Sequence, residues 1–177
     1  PYTVALTAER LGLPGIDPMI AHCGTDKMQM KQRLLLAGIP TAKGGRASSA
    51  RDIPVSPACI VKPLDSRGAR GVTLTSPTWT PLYAFQAAYD ASPTHRVMWE
   101  KHLEGPQVST ETFLLAGGAV TFVLDRNYSR REEFAPYIVE DGAQGPSVLS
   151  SKDVKALKAL AERAARGVLK HPLNAVC

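Results

Sequence analysis

The spacing of apolar positions along the chain predicts a mixture of helices and short strands. Apolar residues recur at three- and four-residue intervals in four segments, which predict helices over 4–13, 26–37, 79–90 and 151–170. Short β-branched runs predict strands over 58–62, 72–75, 97–101 and 137–139, and a hairpin of 108–116 and 119–124. Hairpins and helices mix without strict alternation of strand and helix, which favours an α+β fold over a doubly wound parallel sheet.

Local signals mark where these elements begin and end. Thr25 and Asp26 are candidate N-caps for the second helix, and Gly117 with Gly118 suits the positive φ angles of a two-residue hairpin turn. Residues 39–57 are rich in Gly, Ser, Pro and Ala, and they predict a connection between two lobes. The polar residues 126–136 predict a mobile loop.

Composition narrows the possible functions. The 177 residues are 44% hydrophobic and 21% charged, which is ordinary for a soluble globular protein. The net charge of +5 permits an anionic partner, but the basic residues are scattered and only 6% of residues are aromatic, which disfavours nucleic-acid binding. No apolar run approaches the ~20 residues of a membrane span. Three cysteines without zinc-ligand spacing favour reduced thiols in a cytoplasmic protein.

One segment combines a strand, a lysine and a glycine-containing loop. Ile60 and Val61 precede Lys62 and Pro63, and residues 64–72 then carry two glycines and two arginines before the next strand. A lysine at a strand end reaches an anion, and glycines let backbone N–H groups approach a phosphate closely. The order differs from the Walker pattern, and an ordinary basic surface turn is the alternative.

Residues 97–105 form a second informative segment, in which a strand passes into a connection. Its backbone offers a donor and an acceptor beside Glu100, Lys101 and Leu103. An adenine ring requires this combination together with apolar faces. A strand end with solvated charges explains the same residues.

Five short motifs follow one another along the chain. They are Asp26-Lys27-Met28, residues 37–41, Ile60-Val61-Lys62-Pro63 with Gly68 and Gly71, residues 100–106, and residues 137–147 before the last helix. In this order, over about residues 5–177, the chain resembles the ATP-grasp superfamily, in particular its carboxylate–amine ligase branch.

The resemblance implies two α+β lobes that grip ATP between them. Lys27 and Lys62 match the family's two lysines that contact the phosphates, and residues 65–71 match its glycine-rich flap. The flap residues expected at the phosphates are Arg67, Gly68 and Gly71. Arg67 and Arg70 either serve the triphosphate or keep the flap soluble.

The same resemblance implies how the nucleoside is held. Glu100, Lys101 and Leu103 match the adenine-contacting hinge. Gln107 falls where the family often has an acidic residue that binds the ribose hydroxyls, and a glutamine can still hydrogen-bond a hydroxyl.

The implied reaction is ATP-dependent ligation of small molecules. Lys62 and Mg²⁺ would neutralise the γ-phosphate while a substrate carboxylate attacks it, and an amine, less often a thiol, would displace phosphate from the acylphosphate. Arg126, Arg130 and Arg131 are candidates to hold the acylphosphate or the carboxylate, and Arg130 is the preferred catalytic residue among them. A solvated basic loop is the alternative for all three. Glu111 either faces the cleft or pairs across the hairpin.

The resemblance also divides the chain. Residues 1–24 match the tail of a preceding domain, 25–57 a linking helix and connection, 58–105 the N-lobe with its flap, and 106–177 an incomplete C-lobe. The family binds Mg²⁺ through acidic and amide side chains on strands after the long helix, so those ligands are expected beyond residue 177 and no metal ligand is assigned. A regulatory or degenerate nucleotide-binding module without catalysis is the alternative function, and a homo-oligomer remains open.

Overall fold

The computed structural model describes residues 1–115, 118–129 and 132–169. These residues contain two antiparallel β-sheets and five α-helices. The helices are α1 (Tyr2–Arg10), α2 (Pro18–Cys23), α3 (Lys27–Leu36), α4 (Pro81–Ala91) and α5 (Ser151–Leu169). The strands are β1 (Gly44–Ala47), β2 (Cys59–Pro63), β3 (Thr73–Leu74), β4 (Val97–Lys101), β5 (Val108–Leu115), β6 (Gly118–Ser129) and β7 (Val139–Gln144). The mixed α+β character predicted from the sequence is confirmed.

The first sheet has the strand order β1–β4–β2–β3, and all of its pairings are antiparallel. Side chains alternate between the two faces of a strand, so Cys59 and Val61 of β2 point to one face and Lys62 points to the other. The first face packs against α4, where Ala84 and Ala88 are fully buried. The opposite face therefore carries Lys62.

Helix α3 packs against that opposite face. The carboxylate of Asp26 caps the helix by accepting the N–H groups of Met28 and Gln29, both at 3.0 Å, so Asp26 and not Thr25 is the N-cap of the two predicted candidates. Met28 forms a buried cluster with Leu64 and Met98. Burying a side chain of this size contributes about 1.5–3 kcal/mol, so the cluster fixes α3 against β2 and β4.

Two elements were not predicted from the sequence. Helix α2 begins after Asp17, whose carboxylate accepts the first free N–H group at 2.6 Å. Strand β1 lies within residues 39–57, so the prediction of a simple connection is wrong for 44–47. Gly44 lies so close to Glu100 of β4 that an added Cβ would overlap the β4 backbone, and the pairing therefore requires glycine.

The second sheet has the order β5–β6–β7, and α5 packs against β5 and β6. The predicted hairpin is confirmed, but β6 continues to Ser129, so the mobile loop predicted over 126–136 is wrong for its first four residues. A 3-10 turn, Glu132–Phe134, precedes β7. The predicted hairpin residue Gly117 and the predicted end of α5 at residue 170 lie outside the described residues.

The two sheets meet beside the flap. Tyr137 forms an isolated backbone bridge with Thr73 of β3, and its hydroxyl lies 2.9 Å from the hydroxyl of Tyr83 in α4. These contacts fasten the segment before β7 to the first sheet, close to the end of residues 65–71. Among the helices in the described ranges, none is long and apolar enough to cross a membrane.

Candidate functional site

Glu100 lies between two lysines on the α3 side of the first sheet. Its Oε1 is 2.7 Å from Nζ of Lys31, and its Oε2 accepts a hydrogen bond from Lys62. Lys62 pairs with Met98, which places it diagonally across from Glu100 on the same face, a spacing that long side chains bridge. Lys31 also donates to the carbonyl of Ala42 and is only 6% exposed. One carboxylate therefore holds two ammonium groups together.

The ionisation of Glu100 follows from these contacts. Burial by itself would raise the pKa of Glu100, but the hydrogen bonds from Lys31 and then Lys62 outweigh it and hold the pKa below its ordinary value. The carboxylate stays ionised at neutral pH and offsets only part of the lysines' positive charge. The remaining positive charge is available to an anion.

Lys27 is bound to the backbone where β2 passes into the flap, residues 63–66, which we call the flap base. Its Nζ donates three hydrogen bonds, to the carbonyl oxygens of Pro63 (3.0 Å), Leu64 (3.3 Å) and Ser66 (2.7 Å). Burial, and then the nearby charge of Lys62, lower the pKa of Lys27. Because an ammonium group has three protons, an anion that binds Lys27 has to replace or share one of these bonds.

A cleft of about 280 Å³, which we call the lysine cleft, opens beside these side chains. It is lined by Cys23, Gly24, Lys27, Met30, Lys31, Leu34, Thr41, Lys62 and Glu100. Three lysines and one carboxylate give the lining a net positive charge, which raises the local concentration of anions. The cleft brings together Lys27, Lys62 and Glu100, three of the residues that the resemblance implied for ATP.

The flap presents its backbone to solvent. Gly68, Ala69 and Gly71 have positive φ angles of 66°, 54° and 69°, so the chain curls tightly. Within the described part of the chain, the peptide N–H groups of residues 67–71 donate no hydrogen bond. Successive free N–H groups in a curled loop form a concave surface that binds anions. The flap therefore offers backbone donors to a phosphate.

A second cleft of about 790 Å³, the flap cleft, separates residues 68–71 from residues 137–140. Glu140 in its wall accepts a hydrogen bond from Arg126, whose Nε donates to the hydroxyl of Ser109 at 2.9 Å. Arg126 is thus tied across the second sheet and does not lie in a solvated loop. Any role toward a substrate stays a prediction.

In the segment predicted to contact adenine, free backbone donors begin at Leu103. The N–H groups of Lys101 and His102 donate to carbonyl groups of neighbouring segments, at 2.7 and 3.1 Å. Leu103, which is 62% exposed, is the first residue of the segment whose N–H has no acceptor among the described residues. Gln107 is exposed a few residues later, and its side-chain amide accepts or donates no described hydrogen bond.

The remaining predicted residues lie elsewhere. Glu111 is opposite Phe122 in the hairpin and lines a neighbouring, mainly apolar cleft of about 500 Å³ between α2, α3 and α5. Arg130 and Arg131 lie outside the described residues. Within the described ranges, no three His, Cys, Asp or Glu side chains lie close enough together to hold a metal ion, so these residues do not fit Mg²⁺ and no chemical step is assigned to it.

Two residues of the site were missed in the sequence. Lys31 lies one helical turn after Lys27, and this four-residue spacing on α3 was a usable signal that both lysines share a face. Arg96 reaches the carboxylates of Asp26 and Asp65. These three residues are far apart along the chain, and no local pattern indicated that they meet.

Comparison with solved structures identifies proteins with the same fold. They are an L-amino acid ligase from Bacillus licheniformis (20% identity, TM-score 0.69), a D-Ala:D-Ser ligase from Enterococcus faecalis (17%, 0.78), and the biotin carboxylase domain of a 2-oxoglutarate carboxylase from Hydrogenobacter thermophilus (18%, 0.77). The last was solved with MgADP, ADP and bicarbonate. The matches cover 93%, 94% and 94% of this chain, which spans 38%, 52% and 39% of those proteins.

These likenesses show that the chain has the ATP-grasp fold, as the order of its motifs predicted. No family model matches the sequence, and no curated protein matches it at a significant level. At identities of 17–20% the likeness concerns the fold. The function is therefore argued from the residues of the lysine cleft and the flap.

Proposed function

We propose that this chain is the nucleotide-binding part of an ATP-dependent ligase, which activates a carboxylate as an acylphosphate for attack by an amine or a thiol. The observation that carries the proposal is that Lys27 of the lysine cleft is bound to the base of a flap whose N–H groups at residues 67–71 have no described acceptor. Both the cleft and the flap suit the phosphates of a nucleotide.

Each part of the site has a role in this proposal. Lys62 reaches the phosphates from the end of β2 and balances their charge, while Glu100 keeps its ammonium group in place before ATP arrives. The flap closes over the phosphates with its free N–H groups, which excludes water from the acylphosphate. Leu103 offers its N–H to the adenine ring, and the amide of Gln107 hydrogen-bonds a ribose hydroxyl.

Charge balance and positioning would supply most of the rate enhancement. The carboxylate oxygen attacks the γ-phosphorus, the bond to the β–γ bridging oxygen breaks, and ADP leaves with that electron pair. The amine then attacks the acyl carbon and displaces phosphate. Holding the reactants in line converts a bimolecular encounter into a local step, and fixed cations stabilise the charge that develops on the phosphoryl oxygens.

Replacing Lys62 tests the proposed chemistry. The intact protein is incubated with MgATP, a panel of amino acids and small carboxylic acids, and hydroxylamine as the amine, because hydroxylamine converts acylphosphates into hydroxamates that are measured by colour with iron. We expect hydroxamate and ADP to form together in the wild type. Lys62→Ala should abolish both products, yet leave the fold intact because Glu100 keeps its ion pair with Lys31.

The matched control is Lys155→Ala, an exposed lysine on α5. Its rate should equal that of the wild type. Hydroxamate formation by folded Lys62→Ala at the wild-type rate would show that the phosphate assignment is wrong. Binding of ATP by the wild type without any ADP formation across the panel would favour the regulatory alternative.

A further inference from the structure

The turn between α4 and β4, residues 92–96, binds the flap base through the carboxylate of Asp65. The hydroxyl of Ser92 donates to Asp65 Oδ1 at 2.6 Å, and the hydroxyl of Thr94 donates to Oδ2 at 2.5 Å. The guanidinium of Arg96 lies 3.8 Å from the same Oδ2. Burial would raise the pKa of Asp65, but the two hydroxyls and then Arg96 lower it, so the carboxylate stays charged.

The other side of the Arg96 guanidinium binds the start of α3. Its Nη1 lies 2.9 Å from Oδ2 of Asp26, which is only 1% exposed. The second oxygen of Asp26 caps α3 by accepting the N–H groups of Met28 and Gln29. Arg96 thus bridges two carboxylates, one at the helix start that carries Lys27 and one at the base of the flap.

Backbone hydrogen bonds run through the same point. The N–H of Leu64 donates to the carbonyl of Arg96 at 2.9 Å, and the N–H of Lys27 donates to the carbonyl of Leu64 at 3.1 Å. Leu64 is fully buried. Together with the three bonds from Lys27 Nζ, these contacts make the flap base, Lys27 and residue 96 one connected unit.

We propose that Arg96 is a positioning residue, which holds Lys27 and the flap base in the arrangement that receives the phosphates of the nucleotide. This inference rests on the proposed function for the identity of the ligand. Arg96 touches neither the lysine cleft nor the flap cleft, so it acts through Asp26 and Asp65. A guanidinium suits the task because its planar fork binds two carboxylates at once, whereas the ammonium of a lysine lacks that geometry.

The flap itself provides a reporter, because Arg67 and Arg70 are exposed trypsin sites within it. In the intact protein, mass spectrometry follows cleavage after these two arginines without nucleotide and with ATP. The variants are Arg96→Met, Arg96→Lys and Asp65→Asn, and the control is Arg51→Met, an exposed arginine on the 3-10 turn of residues 50–52. Urea unfolding measures the global stability of each variant.

We expect Arg96→Met to raise flap cleavage without nucleotide by about fivefold and to weaken ATP binding by a similar factor, beyond any change that its global stability explains. Arg96→Lys should fall between Arg96→Met and the wild type, and it keeps the test decisive if Arg96→Met does not fold. Because Arg96 acts partly through Asp65, Arg96→Met with Asp65→Asn should weaken ATP binding by less than the product of the two single effects. Arg51→Met should behave as the wild type.

The inference is overturned if Arg96→Met and Arg96→Lys leave flap cleavage unchanged, or if cleavage rises while ATP binding stays at the wild-type level. Failure of the proposed function is separate, since it shows as an absence of ATP binding by the wild type. In that case the cleavage rates without nucleotide still decide whether Arg96 orders the flap.

Discussion

At the scale of single residues, Glu100 controls how much positive charge the lysine cleft presents. It is shared by Lys31 and Lys62, so neither lysine is fully neutralised. Lys31 is nearly buried and bound on two sides, whereas Lys62 keeps more contact with solvent. Of these two lysines, Lys62 is therefore the one that a phosphate can reach, and Lys31 balances the charge of Glu100.

Replacing Lys31 tests this division of labour. Lys31→Met should destabilise the protein by about 2 kcal/mol, because a charge-assisted hydrogen bond to a poorly solvated carboxylate is lost. Adding Glu100→Gln removes the carboxylate that has lost one of its two lysine partners, so the double variant should be more stable than the sum of the single losses predicts. Urea unfolding of the four proteins of this cycle measures the coupling free energy. Strictly additive losses would show that Lys31 does not act through Glu100.

The residues of the site differ in how far the sequence reveals them. Lys27 and Lys62 stand in short motifs, at a helix start and a strand end, and the structure brings both into one cleft. Lys31 was within reach through helical spacing alone. The bridge that Arg96 makes between Asp26 and Asp65 depends on tertiary packing, so no pattern along the chain predicts it.

At the scale of elements, the flap is anchored at both ends and open in its middle. Gly71 lies against α4, where an added Cβ would lie 2.5 Å from the Cβ of Ala91 and 2.7 Å from the carbonyl oxygen of Ala87. Gly68 has nearly the same positive φ angle but has nothing within 4 Å of the Cβ position. A side chain at Gly68 would therefore meet only backbone strain, whereas a side chain at Gly71 would meet backbone strain and a steric overlap with α4.

This pair of glycines gives a matched prediction. Gly68→Ala should cost about 1–2 kcal/mol, because only the left-handed backbone conformation opposes it. Gly71→Ala should cost a further 1–3 kcal/mol or so, because the methyl group also forces the flap away from α4. Chemical unfolding measures both losses. Equal losses for the two variants would mean that Gly71 does not pack against α4 as described.

Element prediction succeeded where the signal was local. Asp26, one of the two candidate caps, caps its helix, and the two predicted hairpin strands pair with each other, although Gly118 belongs to β6 and not to the turn. Strand β1 was missed because Gly44 and Gly45 carry no strand preference, and Gly44 is present for its close approach to β4. The strand after residue 125 was missed because its polar side chains, such as Arg126, pair across the sheet with Glu140.

At the scale of the whole molecule, the segment before β7 meets the first sheet beside the flap, and the flap cleft lies between residues 68–71 and 137–140. Tyr137 joins the second sheet to the first through Thr73 and Tyr83. We propose that residues 58–105 form the lobe that carries the flap and the hinge, and that residues 106–177 form the lobe on the other side of the nucleotide. Because β1 completes the first sheet, residues 44–47 belong with the lobe that carries the flap.

Titration calorimetry of the intact protein with ATP measures whether the nucleotide binds at the lysine cleft and the flap. We expect a dissociation constant in the micromolar to millimolar range, weakened by about tenfold or more in Lys62→Met, as expected for loss of a charge-assisted contact worth ~1.5–3 kcal/mol. Lys155→Met, the exposed control on α5, should bind as the wild type does. Equal ATP affinity in the wild type and in folded Lys62→Met would show that Lys62 does not bind the phosphates of ATP.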